Sequence, residues 1–224
     1  MKNKDNTVNI KSSVKEKATS PRVPPLKTPL VEAKKSYHHG DLRAALLEAG
    51  FKLLEDRKAE GLGLREVARE VGVSPTAIYR HFPDKSALMM ALAHEGLERL
   101  GVAQQRAAKK AGGGRAALVA RGVMYVRFAA ENPALFRLIF SYAPPIDLLD
   151  AELDDVGSAM KGLREGIYEE MPIQFSEGEK KAATLHAWSL VHGLAELILN
   201  GHIAKDWKLI EKVVGGAAII SSKA

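Results

Sequence analysis

Apolar residues recur at helical spacing along most of the chain. In the segment LREVAREV, for example, Leu64, Val67, Ala68 and Val71 stand at positions i, i+3, i+4 and i+7. Residues with this spacing lie on one face of a helix. No stretch alternates strictly between apolar and polar residues for long enough to indicate a strand. The pattern therefore predicts an all-α fold.

Glycine, proline and polar residues divide the helical pattern into nine predicted helices. The clearest interior breaks are the glycine run 112–114 and the pairs Asn132-Pro133 and Pro144-Pro145. The first predicted helix starts at Leu42 and has Asp41 as its N-cap, and the next two lie within residues 63–82. The other six are predicted at about 85–111, 115–131, 133–141, 147–170, 176–200 and 206–214.

The segment 63–82 predicts two short helices joined by a tight turn. Gly72 directly follows the first helix, and glycine tolerates the positive φ that ends a helix sharply. Ser74 suits the N-cap of the second helix, and Pro75 suits its first position because no N–H is needed there. The second helix is barely two turns long, and most of its side chains suit solvent. Such a pair forms a helix-turn-helix, whose second helix fits the DNA major groove.

Several motifs around this segment resemble the N-terminal domain of TetR-type transcriptional regulators. The matching residues are Tyr37 to Asp41 (YHHGD), Glu66-Val67-Ala68, Gly72-Val73-Ser74, Tyr79, His81-Phe82 and Lys85. The resemblance covers about residues 40–100 and implies a three-helix DNA-binding head joined to a helical ligand-binding and dimerisation body. Farther along, Trp188, His192 and Gly193 are similar to the helix that names a Trp-His-Gly subgroup of these bodies.

These patterns predict three parts of the chain. Residues 1–35 form a basic tail whose four prolines and lack of helical period are typical of disorder. The resemblance implies that residues 36–100 form the DNA-binding head and that residues 101–224 form the ligand-binding and dimerisation body. The tail has nine basic and three acidic residues, which accounts for the net charge of +6 of the whole chain. It either attracts DNA phosphates without sequence preference or is a solvated extension.

Composition narrows the classes of protein further. The chain has no cysteine, which excludes disulfides and thiolate metal sites and fits a reducing cytoplasm. The Lys-rich N-terminus lacks the apolar core of a signal peptide, and no apolar run approaches the length of a membrane span. Walker, Rossmann, HExxH and GxSxG motifs are all absent. We expect a cytoplasmic protein that is not an enzyme and has no cofactor, metal or membrane partner.

Candidate DNA contacts are found along the helix-turn-helix. They are Arg65, Ser74, Pro75, Thr76, Ala77, Tyr79, Arg80, His81 and Lys85. Thr76 and Arg80 are the expected base readers, because a hydroxyl can bond to several base edges and arginine can pair with guanine O6 and N7. Lys85 adds charge at the positive N-terminal end of the next helix and suits a phosphate. The resemblance implies that Tyr79 and His81 also contact phosphate.

Other interpretations of these residues stay open. Tyr79 is alternatively a core aromatic with a solvated hydroxyl, and Arg80 a solvated surface cation, whereas Phe82 is assigned to the core. Gly63 stands where the family usually has a capping Ser or Thr, so it offers no hydroxyl to a phosphate, and Arg65 could compensate. Thr76 stands where many relatives have glycine, which could alter base preference.

Candidate ligand-binding residues in the body are Met or aromatic residues at helical spacing. They are Met124, Tyr125, Phe128, Phe136, Phe140, Trp188 and His192. Such residues line a pocket between helices or simply fill the core. Trp188 and His192 are four residues apart, so they share a helix face. Gly193 indicates close helix approach, either at a dimer seam or in a packed core.

Together these features predict a ligand-responsive DNA-binding transcriptional regulator. We expect a homodimer that binds a palindromic double-stranded operator, most simply as a repressor that a small apolar molecule releases. The alternative is a constitutive DNA-binding protein or an activator without small-molecule control. The size of the body favours ligand control, because DNA binding and dimerisation need fewer residues.

Overall fold

A computed structural model describes residues 42–56, 61–142, 147–171 and 173–217, to which all structural statements refer. The YHHGD motif, the predicted cap Asp41 and the predicted tail 1–35 lie outside these ranges. The helices are α1 (Leu42–Asp56), α2 (Leu64–Val71), α3 (Pro75–Tyr79), α4 (Lys85–Ala111), α5 (Gly114–Glu131), α6 (Pro133–Tyr142), α7 (Ser158–Glu170), α8 (Glu177–Leu199) and α9 (Trp207–Ala217). The described ranges contain no strand, which confirms the all-α prediction.

Helices α1, α2 and α3 pack with the start of α4 around a small apolar core, which we call the head. Leu46, Val67, Ile78 and Leu88 come from these four helices, and none of them has exposed surface. Phe82, just after α3, is 2% exposed, which confirms its assignment to the core. A short helix buries little area, so α3 depends on Ile78 and Phe82 for its attachment.

Helix α4 connects the head to the rest of the molecule. Asp84 is its N-cap and accepts a hydrogen bond from Ala87 N at 2.8 Å. Gly112 ends the helix with a left-handed φ of 91°, which glycine adopts without steric cost. At about 1.5 Å per residue the helix is roughly 40 Å long, so one rigid element extends from the head far into the body.

The body consists of the C-terminal part of α4 together with helices α5–α9. Helix α5 contacts all five of the others. Gly122 on α5 allows this packing, because a Cβ atom there would lie 2.7 Å from a Val214 side-chain carbon on α9. Gly101 on α4 does the same for α7, since a Cβ atom there would lie 2.8 Å from Ala159 N.

The predicted helix 147–170 is wrong in its first half, because α7 begins only at Ser158. Residues 147–157 form turns instead. Asp147 Oδ1 accepts from Leu149 N at 3.0 Å, and such aspartate–backbone bonds compete with helix formation. Arg164 on α7 donates to the Ala151 carbonyl at 2.6 Å, which satisfies a carbonyl that has no helical partner.

Helix α8 has an apolar surface that the protomer does not cover. The prediction that no apolar run approaches the length of a membrane span is wrong for α8, which is long and apolar enough by length and composition alone. Helix α8 is this apolar because only Glu196 is charged among residues 182–199. A Cβ atom at Gly193 would meet nothing within 4 Å, so a packed core there is excluded within the protomer.

Candidate nucleic-acid interface and ligand cavity

Helix α3 is built by its cap and by the turn before it. Gly72 ends α2 with a φ of 79°, and Val73 N donates to Ala68 O at 2.9 Å, which turns the chain sharply. Ser74 Oγ then accepts from Ala77 N at 3.3 Å. This cap fixes where a five-residue helix begins, because so short a helix has little stability of its own.

The residues around Ile78 face solvent. Ser74, Pro75, Thr76, Arg80 and His81 are all exposed, while Ala77 is half-buried. Tyr79 is 45% exposed, so its alternative role as a core aromatic is wrong. The structure thus presents hydroxyl, guanidinium, phenol and imidazole groups on one short, outward-facing segment. Such groups can bond to base edges and phosphate oxygens.

Two further predicted DNA contacts flank this segment. Arg65 is exposed in the first turn of α2, and Lys85 is exposed as the first residue of α4. The N-terminal ends of helices carry partial positive charge, which favours a nearby phosphate. Three cationic side chains therefore lie around the recognition helix: Arg65 at the start of α2, Arg80 at the end of α3 and Lys85 at the start of α4.

The body contains a partly open cavity of about 1590 Å³ that every helix from α4 to α9 helps to line. Three predicted ligand-binding residues, Tyr125, Phe140 and Trp188, line it. Apolar residues from α4, α7 and α8 extend the wall. The other four predicted residues, namely Met124, Phe128, Phe136 and His192, are not among the lining residues.

None of those four residues is exposed. Phe136 and Phe128 are buried in the core, and Met124 is half-buried. His192 packs against Phe140 with ring centroids 4.7 Å apart, and its Nδ1 lies 2.9 Å from Tyr125 Oη. This contact orients the Tyr125 ring from behind. Of the two residues predicted on this face of α8, Trp188 therefore lines the cavity, whereas His192 supports a lining residue.

Burial raises the pKa of the Tyr125 phenol well above its ordinary value. Loss of solvation is the largest cause, while hydrogen bonding to Trp188 lowers the pKa and the Glu196 carboxylate raises it. Tyr125 is therefore a neutral hydroxyl at physiological pH. It gives the wall of the cavity a polar atom that is already bonded to His192.

The polar residues of the cavity lining other than Tyr125 were not predicted from the sequence, and they include Gln104 on α4 and Arg121 on α5. Gln104 is 6% exposed, and its Nε2 donates to the Arg121 carbonyl at 3.1 Å. A signal was present, because Gln104 follows buried Leu100 by four residues and precedes buried Ala108 by four. A polar residue on a buried helix face is an informative exception.

Arg43 of α1 connects the cavity with the head. Its side chain lines one end of the cavity. Its guanidinium carbon lies 5.4 Å from the centroid of the Phe82 ring, which is within cation–π distance. Phe82 lies just after α3 and helps to attach this helix to the core of the head. Arg43 therefore contacts both the cavity and a residue that anchors α3.

Comparison with known proteins identifies the class to which this fold and these surfaces belong. Residues 46–92 match the tetR family of bacterial regulatory proteins, and residues 118–212 match the tetracyclin repressor-like C-terminal domain. The chain belongs to the TetR family of DNA-binding transcriptional regulators with a helix-turn-helix. The resemblance to the Trp-His-Gly subgroup is not confirmed by these matches and stays a prediction.

Solved structures share the fold of this chain. A protein of unknown function from Rhodococcus sp. RHA1 is 32% identical, with a TM-score of 0.65 over 84% of this chain and 96% of that one. A TetR transcriptional regulator from the same organism is 23% identical, with a TM-score of 0.52 over 79% and 93% of the two chains. A tetR-family regulator from Streptomyces coelicolor shares the fold at 19% identity, with a TM-score of 0.59 over 80% of each chain.

Proposed function

We propose that the protein is a homodimeric repressor that acts on a palindromic operator in the cytoplasm and that a small, largely apolar molecule releases. The observation that carries this proposal is α4, which starts beside the exposed helix-turn-helix and lines the large cavity of the body with residues such as Met90, His94 and Leu97. A molecule in the cavity would therefore touch the helix that positions the head.

In this proposal the DNA-facing residues divide into two groups. Thr76 and Arg80 read base edges in the major groove, and Pro75 or Ala77 contacts a thymine methyl group. The remaining residues hold phosphates and set the position of α3 without specifying sequence. They are Arg65, Ser74, Tyr79, His81 and Lys85. Exposure of Pro75, Thr76 and Arg80 and the guanidinium, ammonium, hydroxyl and imidazole groups of the second set support this division.

Dimerisation is proposed through α8 and its neighbour α9. Leu185, Ser189, Gly193 and Leu197 are spaced by four residues, so they form one stripe along α8. Leu185 is 47% exposed and Leu197 is 42% exposed in the protomer. A second copy of the chain would bury this stripe, and the open space at Gly193 would let two helices approach closely.

Ligand control follows from the geometry that two linked heads need. Two recognition helices of a dimer must reach successive major grooves about 34–36 Å apart on one face of the DNA. A ligand that tilted α4 would change this spacing and so weaken simultaneous binding. The two states must differ in ligand affinity, typically by about 1–3 kcal/mol.

The test begins with selection of DNA sites from a random pool by the full chain, followed by a screen for small molecules that release the selected site. We expect a palindrome with half-sites one helical turn apart and at least one releasing molecule. A site without two-fold symmetry would contradict the dimer proposal. Firm binding that no molecule weakens would favour the constitutive alternative.

A further inference from the structure

One arginine on the wall of the cavity differs from the other arginines there in its burial. Arg43 and Arg115 line the cavity and are exposed, whereas Arg121 lines the cavity and is half-buried. Removing water from a charged group costs free energy unless an opposite charge takes the place of the water. Arg121 is therefore the arginine of the cavity that gains most from an anionic partner.

The position of Arg121 on α5 places its side chain on the face of the helix that borders the cavity. Leu118 stands three residues before it and Tyr125 four residues after it, and both line the cavity. Residues with this spacing share one helix face. The Tyr125 hydroxyl is already bonded to His192, so it does not compete for a polar group that reaches Arg121.

The guanidinium lies against α7, where a glycine makes room for it. A Cβ atom at Gly162 would be only 2.3 Å from Arg121 Nη1 and 2.9 Å from its Cζ. A larger residue at position 162 would therefore displace the charged group. Leu163, the next residue of α7, lines the cavity. The charged end of Arg121 is thus held beside the wall that α7 contributes to the cavity.

The described ranges contain no counter-ion for this guanidinium. Within them no carboxylate lies within ion-pair distance of Arg121. The hydrogen bond that Gln104 Nε2 donates, at 3.1 Å, goes to the Arg121 carbonyl oxygen and leaves the side chain unengaged. The Glu98 carboxylate, which also lines the cavity, accepts from Ser158 N at 3.3 Å. A guanidinium has only donors, so the partner it lacks is an acceptor.

We propose that the effector of this cavity is an apolar carboxylic acid whose carboxylate pairs with the Arg121 guanidinium. A carboxylate neutralises the positive charge and accepts two parallel N–H bonds from the planar guanidinium. The apolar part of the molecule lies along Leu118, Tyr125 and Leu163, which line the same cavity. This inference rests on the proposed function of the cavity as an effector site.

The test compares two probes of equal length that differ in charge. The probes are decanoate and decanamide, whose head groups have similar shapes although only the carboxylate is charged at pH 7. We expect the full wild-type chain to bind decanoate about tenfold more tightly than decanamide in titration calorimetry, because hydrogen bonds between charged groups are the stronger ones. Equal affinities would overturn the inference, as would tighter binding of decanamide or the absence of decanoate binding.

Two variants assign the preference to one side chain. Arg121→Met removes the charge but keeps an unbranched side chain, so the ratio of the two affinities should fall to about one while decanamide binds as before. Arg115→Met is the control, because Arg115 also lines the cavity from α5 but is exposed and donates to the Gly215 carbonyl at 3.2 Å. This control should keep the wild-type ratio. A preference for decanoate that survives Arg121→Met would overturn the role of Arg121.

A third variant decides the matter if Arg121→Met also loses decanamide. Arg121→Lys keeps the positive charge without the planar fork, so it should still bind decanoate more tightly than decanamide. Equal affinities of this variant for the two probes would overturn the pairing of charges. The proposed function is judged separately, since it fails if the full chain selects no DNA site, whichever probe binds.

Discussion

The head and the body fill their interiors differently. The head packs large side chains such as Leu46, Ile78 and Phe82 around a closed core, and its polar residues face outward. The body surrounds α5 with five helices and still contains a partly open cavity of about 1590 Å³. In the head, close packing stabilises a recognition helix that is too short to be stable alone. In the body, the side chains are packed less closely and leave space between the helices.

The largest expected effect is a difference in stability. Truncating an apolar side chain to alanine should cost more free energy of unfolding in the head than beside the cavity of the body. Ile78→Ala should lower the free energy of unfolding by about 2–5 kcal/mol, because it opens a void in a closed core. Leu163→Ala removes a half-buried side chain that already borders the cavity, so it should cost under about 1.5 kcal/mol.

Urea unfolding of both variants at one fixed protein concentration measures this difference. The concentration is fixed because dimerisation changes apparent stability. A cost for Leu163→Ala equal to that of Ile78→Ala would show that the body is packed as closely as the head.

The second prediction tests the division of labour within the DNA-facing surface. Arg80→Ala should cost about 1–3 kcal/mol on the cognate site and relax preference at one position of each half-site. Lys85→Ala should weaken binding to all sequences alike and lower the salt slope by about one unit per site.

Binding of both variants to the cognate site and its point variants, at several salt concentrations, distinguishes the two roles. If Arg80→Ala leaves the base preference unchanged, the base-reading role passes to Thr76 and Arg80 is a solvated surface cation.

The smallest expected effect concerns Arg43, which joins the two regions. Its cation–π contact with Phe82 is worth about 0.5–1 kcal/mol at an exposed site. Arg43→Met should therefore change DNA affinity by less than about fivefold but reduce the ratio of DNA affinities without and with ligand.

Arg99→Met is the control for Arg43→Met, although it also removes the exposed ion pairs of Arg99 with Glu48 and Glu95, which contribute little. Arg99 also lies over a head aromatic, at 3.9 Å from the centroid of the Phe51 ring, but it does not line the cavity. Gel-shift titrations with and without a releasing molecule should show reduced coupling for Arg43→Met only. Equal losses in both variants would mean that the cavity end at Arg43 has no special part in coupling.

The sequence allowed much of the head to be predicted because local rules determine it. Gly72, Ser74 and Pro75 each set a backbone conformation at their own position, and the structure has the predicted cap and left-handed turn. The spacing of apolar residues then identifies the buried face of each helix. Most helix ends in the body followed from glycine and proline for the same reason.

The cavity could not be predicted in the same way because empty space leaves no mark on a helical pattern. Phe128 and Phe140 have the same chemistry, yet only Phe140 lines the cavity. The choice depends on how six helices pack together. Gln104 was the exception, since a polar residue on a buried face is visible in the sequence once the helix is placed. The turns at 147–157 likewise depended on a distant partner, Arg164.

We propose that ligand binding in the body and DNA binding by the head are coupled through α4. The most direct measurement is the affinity of the full chain for a releasing molecule, by calorimetry, in the absence and in the presence of saturating operator DNA. Because coupling is reciprocal, operator DNA should weaken ligand binding by the same factor by which the ligand weakens DNA binding, about 5–150-fold. Equal ligand affinities in the two titrations would contradict the account and leave a DNA-binding protein whose cavity has no control over its head.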